Sequence, residues 1–364
     1  MRQLGVSIYP DHTSFADDKK YLDLAHKYGY TRIFTSLLQL VGENGEDILG
    51  KFKQTIAYAN ELGFKVVVDI NPDLFKSLNI KYDDLSFFSD LGVWGLRLDE
   101  GFTGLEEAQM TRNPFGLKIE INISAGTNYV DRIMDYSPNT DNLIGCHNFY
   151  PQKYTGLGEQ FFLDYTKRYR NFTLHTAAFV SAKSATFGPW PVNEGLPTIE
   201  SDRNRPIATQ VQHLLLTNLI DDVIIGNAYA SEDELKQVAD SFYAPYPFLH
   251  VNLVDDISDV EKKIVLDETH LYRGDASDYL LRSTLPRIKY SKSDIAKHET
   301  SDFKRGDVIV VNNEYSRYKG EMQIALQDFP NDGRRNVVGR IDPADLDLLT
   351  YIKPWSSFTL KETK

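Results

Sequence analysis

The sequence predicts an α/β chain: a (β/α)8 TIM barrel over residues 1–243, followed by a small all-β domain over residues 244–364. From the start to about residue 243, a short β-branched run followed by a helix-period segment recurs eight times. No GxGxxG follows an early strand, which counts against the rival open doubly wound sheet. Beyond residue 244 the pattern changes to short strands spaced by turn signals.

The strands expected of the barrel lie at 4–10, 32–38, 65–71, 95–100, 117–124, 143–151, 173–181 and 223–230. Ser14 caps the first helix, Gly63 closes the second, and Ser231 opens a helix with acids in its first turn. In the second domain the strands are expected within 250–256, 261–274, 278–284, 306–316, 320–330 and 335–341, with a hairpin turn at Asn331-Asp332-Gly333.

Composition narrows the function. The chain has 52 acidic and 40 basic residues, a net charge of -12, and such a field repels nucleic acid and anionic lipid. A small-molecule substrate fits better. One cysteine, Cys146, forms neither an internal disulfide nor a cysteine metal cluster, and no HxH or HExxH spacing occurs, so neither a metal nor another cofactor is expected. The opening MRQLGVSIYPDHTSF holds no apolar stretch of secretory length, and no apolar run elsewhere is long enough for a membrane span, so a cytoplasmic protein is expected.

In a barrel strand, alternate residues face the helices and the lumen. Leu96 and Leu98 sort outward while Arg97 and Asp99 sort inward, with Glu100 just past the strand end. By the same alternation Asp69, Asn71, Glu120, Asn122 and Ser124 point in. Ser7, Tyr9, Asn148, Tyr150, Asn227 and Tyr229 are read the same way. Periodicity leaves open whether His175 or Thr176 faces the lumen. The result is a ring of carboxylates, amides and phenols at one mouth, suited to a polyhydroxylated ligand.

Asp99 and Glu100 are the catalytic candidates. Glycoside hydrolysis needs one carboxyl to protonate the leaving oxygen and another group to stabilise charge at the anomeric carbon. On a 2-acetamido sugar the amide oxygen itself serves as nucleophile, with Asp99 orienting the amide and Glu100 as acid. The competing roles are Asp99 as a partner of Arg97 and Glu100 as a helix cap. Glu120 is a further substrate-binding candidate and reads equally as part of the catalytic site or as a buried ion-pair member near Arg97. Tyr9, Asp69, Asn71, Asn122, Asn148, Tyr150, His175, Asn227 and Arg317 are substrate-binding candidates, Asp69 and Asn71 reading equally as anchors of Tyr9. The long Pro/Gly-rich loop at 181–206 reads as a lid or binding element, with Trp190 to stack on a sugar or to pin the loop and Lys183, Arg203 and Arg205 as phosphate-binding candidates or solvated surface charges. Asn312, Asn313, Tyr315, Arg317 and Tyr318 cluster at a strand end of the second domain, as a site contribution or an ordinary turn.

Five segments, LGVSIYPDHTSF, LRLDEGF, HNFYPQKYTGL, NEGLPTIESDR and VVNNEYSRYKGEMQIAL, together resemble the bacterial 6-phospho-N-acetylmuramidases, long labelled outer surface proteins. The resemblance spans nearly the whole chain. It implies a (β/α)8 barrel followed by a cyclophilin-like β barrel, and hydrolysis of N-acetylmuramic acid 6-phosphate linked to N-acetylglucosamine in cell-wall recycling. An amino-sugar phosphate is then the expected partner. Two rivals stand beside it: a barrel lyase, aldolase or metal-dependent hydrolase on a phosphosugar, and a non-catalytic sugar-phosphate-binding protein.

Overall fold

Eight parallel strands close into a barrel in the computed structural model: β1 (Leu4–Ser7), β2 (Arg32–Ser36), β3 (Lys65–Ile70), β4 (Gly95–Leu98), β5 (Lys118–Asn122), β6 (Leu143–Cys146), β7 (His175–Val180) and β8 (Asp222–Ile225). The structure describes residues 2–38, 45–191 and 194–363. The chain divides into two units, Met1–Phe242 and Tyr243–Lys364. Among the described residues no helix is long and apolar enough to cross a membrane.

The connecting helices are α1 (Phe15–Lys27), α2 (Gly45–Glu61), α3 (Pro72–Ser77), α4 (Ser86–Leu91), α5 (Leu105–Met110), α6 (Tyr129–Asp135), α7 (Glu159–Asn171), α8 (Ile207–Leu216) and α9 (Glu232–Phe242). Their ends follow the sequence signals. Ser14 accepts a hydrogen bond from the Asp17 amide, and Ser231 and Glu234 bond reciprocally at the start of α9. Gly63 takes a left-handed conformation with φ of 82° just past α2, a position at which a Cβ would be strained.

Strand alternation divides the barrel core in two. Val66, Val68, Ile70, Leu96, Leu98, Ile119, Ile121 and Ile123 belong to the outer cluster between strands and helices. Tyr9, Phe34, Cys146, Ala177, Phe179 and Ile224 form a separate lumen cluster. Phe34, Phe149 and Phe179 meet edge to face at centroid distances of 5.0 to 5.7 Å, so aromatic packing closes the middle of the barrel.

Below that plug lies a buried charge network. Arg32, the first residue of β2 and fully buried, reaches Glu120 on β5 and Asp222 on β8, the latter at 2.6 Å. Asp222 also accepts from the Gln3 amide at 2.7 Å and meets His175 Nε2 at 2.8 Å. The sequence admitted Glu120 as an ion-pair member near Arg97; its partner is Arg32. Parity showed that Glu120 faces inward, but not which cation lies across the lumen.

The second unit is a seven-stranded mixed sheet in the order β10-β15-β9-β14-β12-β13-β11. Its strands are β9 (Phe248–Leu253), β10 (His270–Leu271), β11 (Leu280–Ser283), β12 (Asp307–Val311), β13 (Met322–Ala325), β14 (Arg335–Ile341) and β15 (Ser357–Glu362). A bridge between Tyr272 and Ser283 nearly closes the sheet. The region also holds α10 (Asp259–Leu266) and α11 (Pro286–Tyr290). The segment EKKIVL, expected within a strand, is helical because Ser258 and Glu261 form a capping box and Ile264 and Val265 bury one face. The turn at Asn331-Asp332-Gly333 is not a hairpin between paired neighbours, because β12 lies between β13 and β14. Strand β15 had no sequence expectation.

Removing Arg32 leaves two buried carboxylates without their cation. Arg32→Ala is therefore expected to cost about 3–5 kcal/mol in urea unfolding. Wild-type stability in the variant would show that the network is dispensable.

Candidate active site

At the carboxyl ends of the barrel strands a cavity of about 240 Å³ is lined by Phe34, Ser36, Asp69, Arg97, Asp99, Asn148, Phe149, Tyr150, Pro151, Pro189 and Trp190. This is the face on which barrels of this type carry their chemistry, because loops of variable length converge there on fixed strand ends. The floor is aromatic, from Phe34 and Phe149. The wall is polar on one side and carries Tyr150 and the half-exposed Trp190 ring on the other.

Arg97 organises the polar side. It projects inward from β4, is almost fully buried, and donates to Asp69 on β3 at 2.7 Å and to Asn148 after β6. Asp99, two residues along the same face, lies 3.5 Å from the same guanidinium with its side chain about 39% exposed. The cation is thus shared by a buried carboxylate and an open one. Burial pushes the Asp69 carboxyl up to about 7; Arg97 opposes the rise and the Asp99 charge adds to it.

The acid pair sits on a short, braced turn. The Asp99 amide donates to Ile70 O at 3.1 Å, which ties the end of β4 to β3. Next comes Gly101, where a Cβ would lie 1.9 Å from the Tyr129 hydroxyl oxygen, so only glycine lets the chain pass that ring. Tyr129 donates to Glu107, and the Glu107 carboxylate accepts the amides of Phe102 and Gly104. Glu107 therefore holds the turn that follows the pair. Glu100 is exposed, does not line the cavity, and makes no side-chain hydrogen bond among the described residues. It caps no helix; Gly104 precedes α5.

A hydrogen-bonded chain supports the opposite wall. His147, fully buried, meets Thr166 Oγ1 at 2.8 Å through Nε2 and Ser124 Oγ at 3.0 Å through Nδ1. Burial, with the Arg97 charge, lowers its pKa to about 3, so it is neutral. Ser124 Oγ also accepts the Asn148 amide, which fixes the backbone leading to Tyr150.

The structure thus gathers Asp69, Asp99, Asn148 and Tyr150 in the cavity and gives other expected binding residues different tasks. Tyr9 is buried in the lumen cluster with its hydroxyl donating to Gly226 O, so neither Asp69 nor Asn71 anchors it. Asn71 caps α3 by accepting the Leu74 amide at 2.9 Å. Asn122 accepts the Ser124 amide at 2.8 Å and reaches toward the Asp99 carbonyl at 3.4 Å. Asn227, 2% exposed, spends its amide on the backbone of Ala182 in both directions. His175 does face the lumen, but as the first residue of β7 it stands at the end away from the cavity, beside Asp222, as Glu120 does beside Arg32. Arg317 belongs to the second unit, where it is exposed.

The expected phosphate cations fare unequally. Arg203 is buried and donates to the Glu200 carboxylate and to the carbonyls of Tyr150, Gln152, Glu194 and Gly195. It welds the loop after β6 to the loop after β7 and has no donor turned to a ligand. Arg205 pairs with Asp202 at 3.1 Å. Lys183 is exposed, and among the described residues only its backbone is engaged, by Glu234. Val192 and Asn193, in the loop read as a lid, lie outside the described residues. Among the described residues no group of three or more histidine, cysteine or acidic side chains is gathered to hold a metal ion. Arg97, which lines the cavity, is not among the expected binding residues, although it shares the inward parity of Asp99 that signals it.

Comparison with known proteins follows the same two-unit division. The family model described as 6-phospho-N-acetylmuramidase, N-terminal, matches residues 4–240, and the one described as 6-phospho-N-acetylmuramidase, C-terminal, matches residues 247–361. The crystal structure of an uncharacterized B. cereus protein superposes with a TM-score of 0.91 at 43% identity, covering 99% of each chain. That of a conserved Enterococcus faecalis protein with an unknown function gives a TM-score of 0.74 at 28% identity, covering 99% of this chain and 96% of the other. No curated protein matches the sequence.

The raised pKa of Asp69 has a definite sign in stability. In the native state the carboxyl holds its proton up to about 7, whereas the unfolded chain releases it near the ordinary 3.8. Its contribution is therefore fully present below the unfolded value and is lost as pH rises toward 7. Wild type should lose stability relative to Asp69→Asn between these limits, and carboxyl-carbon NMR should show an aspartate titrating near 7. An Asp69 midpoint in the ordinary range would contradict the electrostatics described.

Proposed function

The chain belongs to the 6-phospho-N-acetylmuramidase family, and on that premise we propose that it hydrolyses the glycosidic bond between N-acetylmuramic acid 6-phosphate and N-acetylglucosamine, in cell-wall recycling. One feature carries this reading: Asp99 and Glu100 follow each other at the carboxyl end of β4, Asp99 in the cavity against Arg97 and Glu100 exposed with its carboxyl unspent among the described residues.

The proposed chemistry uses the substrate's own acetamido group. Asp99, 3.5 Å from the Arg97 guanidinium, accepts the acetamide N–H and turns the carbonyl oxygen toward the anomeric carbon. That oxygen bonds to the anomeric carbon as the bond to the leaving oxygen breaks, and Glu100 donates a proton to the leaving oxygen, releasing N-acetylglucosamine. Water then attacks the anomeric carbon of the cyclic intermediate, gives a proton back to Glu100, and reopens the acetamide, so that both catalytic groups end as they began. The cavity volume suits one sugar ring, with Trp190 and Tyr150 offering aromatic faces to its apolar side. A phosphorylated sugar does not cross a membrane unaided, so the proposed location is the cytoplasm.

Asp69 supports a second assignment of the acid, because it lines the cavity with a carboxyl still protonated near neutral pH. The variants separate the two. Glu100→Gln should lower kcat on the phosphorylated disaccharide by about 10²- to 10⁴-fold with KM little changed. Asp99→Asn should also lower kcat. Full activity in Glu100→Gln together with loss in Asp69→Asn would move the acid role to Asp69, and full activity in all three variants would refute carboxylate catalysis at this pocket.

A further inference from the structure

The barrel unit spends its buried and half-buried arginines on its own acids: Arg32 on Glu120 and Asp222, Arg97 on Asp69, Arg203 on Glu200, Arg205 on Asp202. The second unit gathers arginines on aromatic rings at one place, with fewer acids than cations around them. Tyr315 and Tyr318, at the end of β12, meet edge to face at 4.8 Å, and four guanidinium groups gather on the two rings. Arg334 and Arg335 lie over Tyr315 at 4.2 and 5.7 Å, and Arg282 and Arg287 over Tyr318 at 5.9 and 5.6 Å. Arg317 sits between the tyrosines in sequence, exposed, with no side-chain partner among the described residues. Lys319 adds a sixth cation nearby in the chain.

Two acids compensate part of this charge. Glu321, fully buried, takes Arg282 at 2.7 and 3.1 Å and lies 3.6 Å from Arg287, while Asp332 takes Arg334 at 2.9 and 2.5 Å and lies 3.5 Å from Arg335, which also donates to Gln323 at 3.2 Å. Glu321 therefore orients two arginines from beneath instead of opposing an incoming anion at the surface. The rings hold the guanidinium planes in place through cation–π contact, which lowers the entropy lost on binding a ligand. In a chain of net charge -12, a surface with several cations preorganised on aromatic rings is a focused positive site.

We propose that this surface of the second unit is a binding site for a phosphate monoester on a sugar, with Arg317 and Arg287 as its principal donors and Tyr315 as a further hydrogen-bond donor. Fork-shaped guanidinium groups match the paired oxygens of a phosphoryl dianion, and a tyrosine offers both a hydroxyl and a face for the sugar. The sugar-phosphate identity of the anion rests on the function proposed above; the site itself rests on the arginine and tyrosine geometry.

Calorimetric titration of the full chain tests it with N-acetylglucosamine 6-phosphate and with plain N-acetylglucosamine. Wild type should bind the phosphorylated sugar in preference, with an affinity that falls as salt is raised. Arg317→Ala, at an exposed position that leaves packing intact, should weaken binding about tenfold, Arg317→Lys should recover part of the loss, and Arg287→Ala should weaken binding independently. Equal binding of the two sugars by wild type, or unchanged binding of the phosphorylated sugar in both alanine variants, would overturn the proposal. Because the readout is binding, a failure of hydrolysis in the catalytic assay leaves this result separately legible.

Discussion

The pocket depends on one buried guanidinium. Arg97 comes from β4 into a lumen otherwise closed by Phe34, Phe149 and Phe179, and a cation there is tolerable only because Asp69, Asn148 and Asp99 surround it. The arrangement has a consequence for each partner. Asp69 is the buried carboxyl that accepts from the guanidinium and is pushed up to about 7, Asn148 is fixed with the backbone that leads to Tyr150, and Asp99 remains open to solvent yet beside positive charge. A carboxylate of the last kind is what a reaction through a cationic intermediate needs next to the sugar.

A second network of similar composition lies at the other end of the lumen, with Arg32 between Glu120 and Asp222. The aromatic plug separates the two. The lower network has no open member except at the edge, where His175 is partly exposed, and it ties β2, β5, β7 and β8 together across the barrel. The upper one borders a cavity. The same residue types thus tie strands together at one end and line a cavity at the other, and the difference is access to a space that can hold a ligand.

Much of this was legible in the chain. Eight repeats of strand and helix signals set the barrel, and period-two alternation placed Asp69, Asp99, Asn148 and Tyr150 on the inner face, because a barrel strand has only two faces. Alternation says nothing of height along the lumen, so His175 and Glu120 were read as site residues though they stand below the plug. Nor does it show whether a polar group is already spent. Asn71 and Asn227 serve backbone groups, and Arg203 serves four carbonyls and a carboxylate, contacts set by loop paths that no local pattern encodes. Arg97 was passed over for the converse reason: an arginine beside acids reads as a counter-ion, and only the cavity shows that it also shapes the site. In the second unit, the apolar run at EKKIVL satisfied strand and helix readings alike, and the capping box at Ser258 decided it.

The central claim is that the carboxylates at the end of β4 cut an amino-sugar glycoside bearing a 6-phosphate. The most direct measurement is incubation of the purified chain with the disaccharide of N-acetylmuramic acid 6-phosphate and N-acetylglucosamine, and in parallel with its unphosphorylated form, followed by mass spectrometry of the products. The account predicts that the phosphorylated disaccharide is split into its two monosaccharides while the unphosphorylated form is cut far more slowly. Recovery of both disaccharides intact would contradict it.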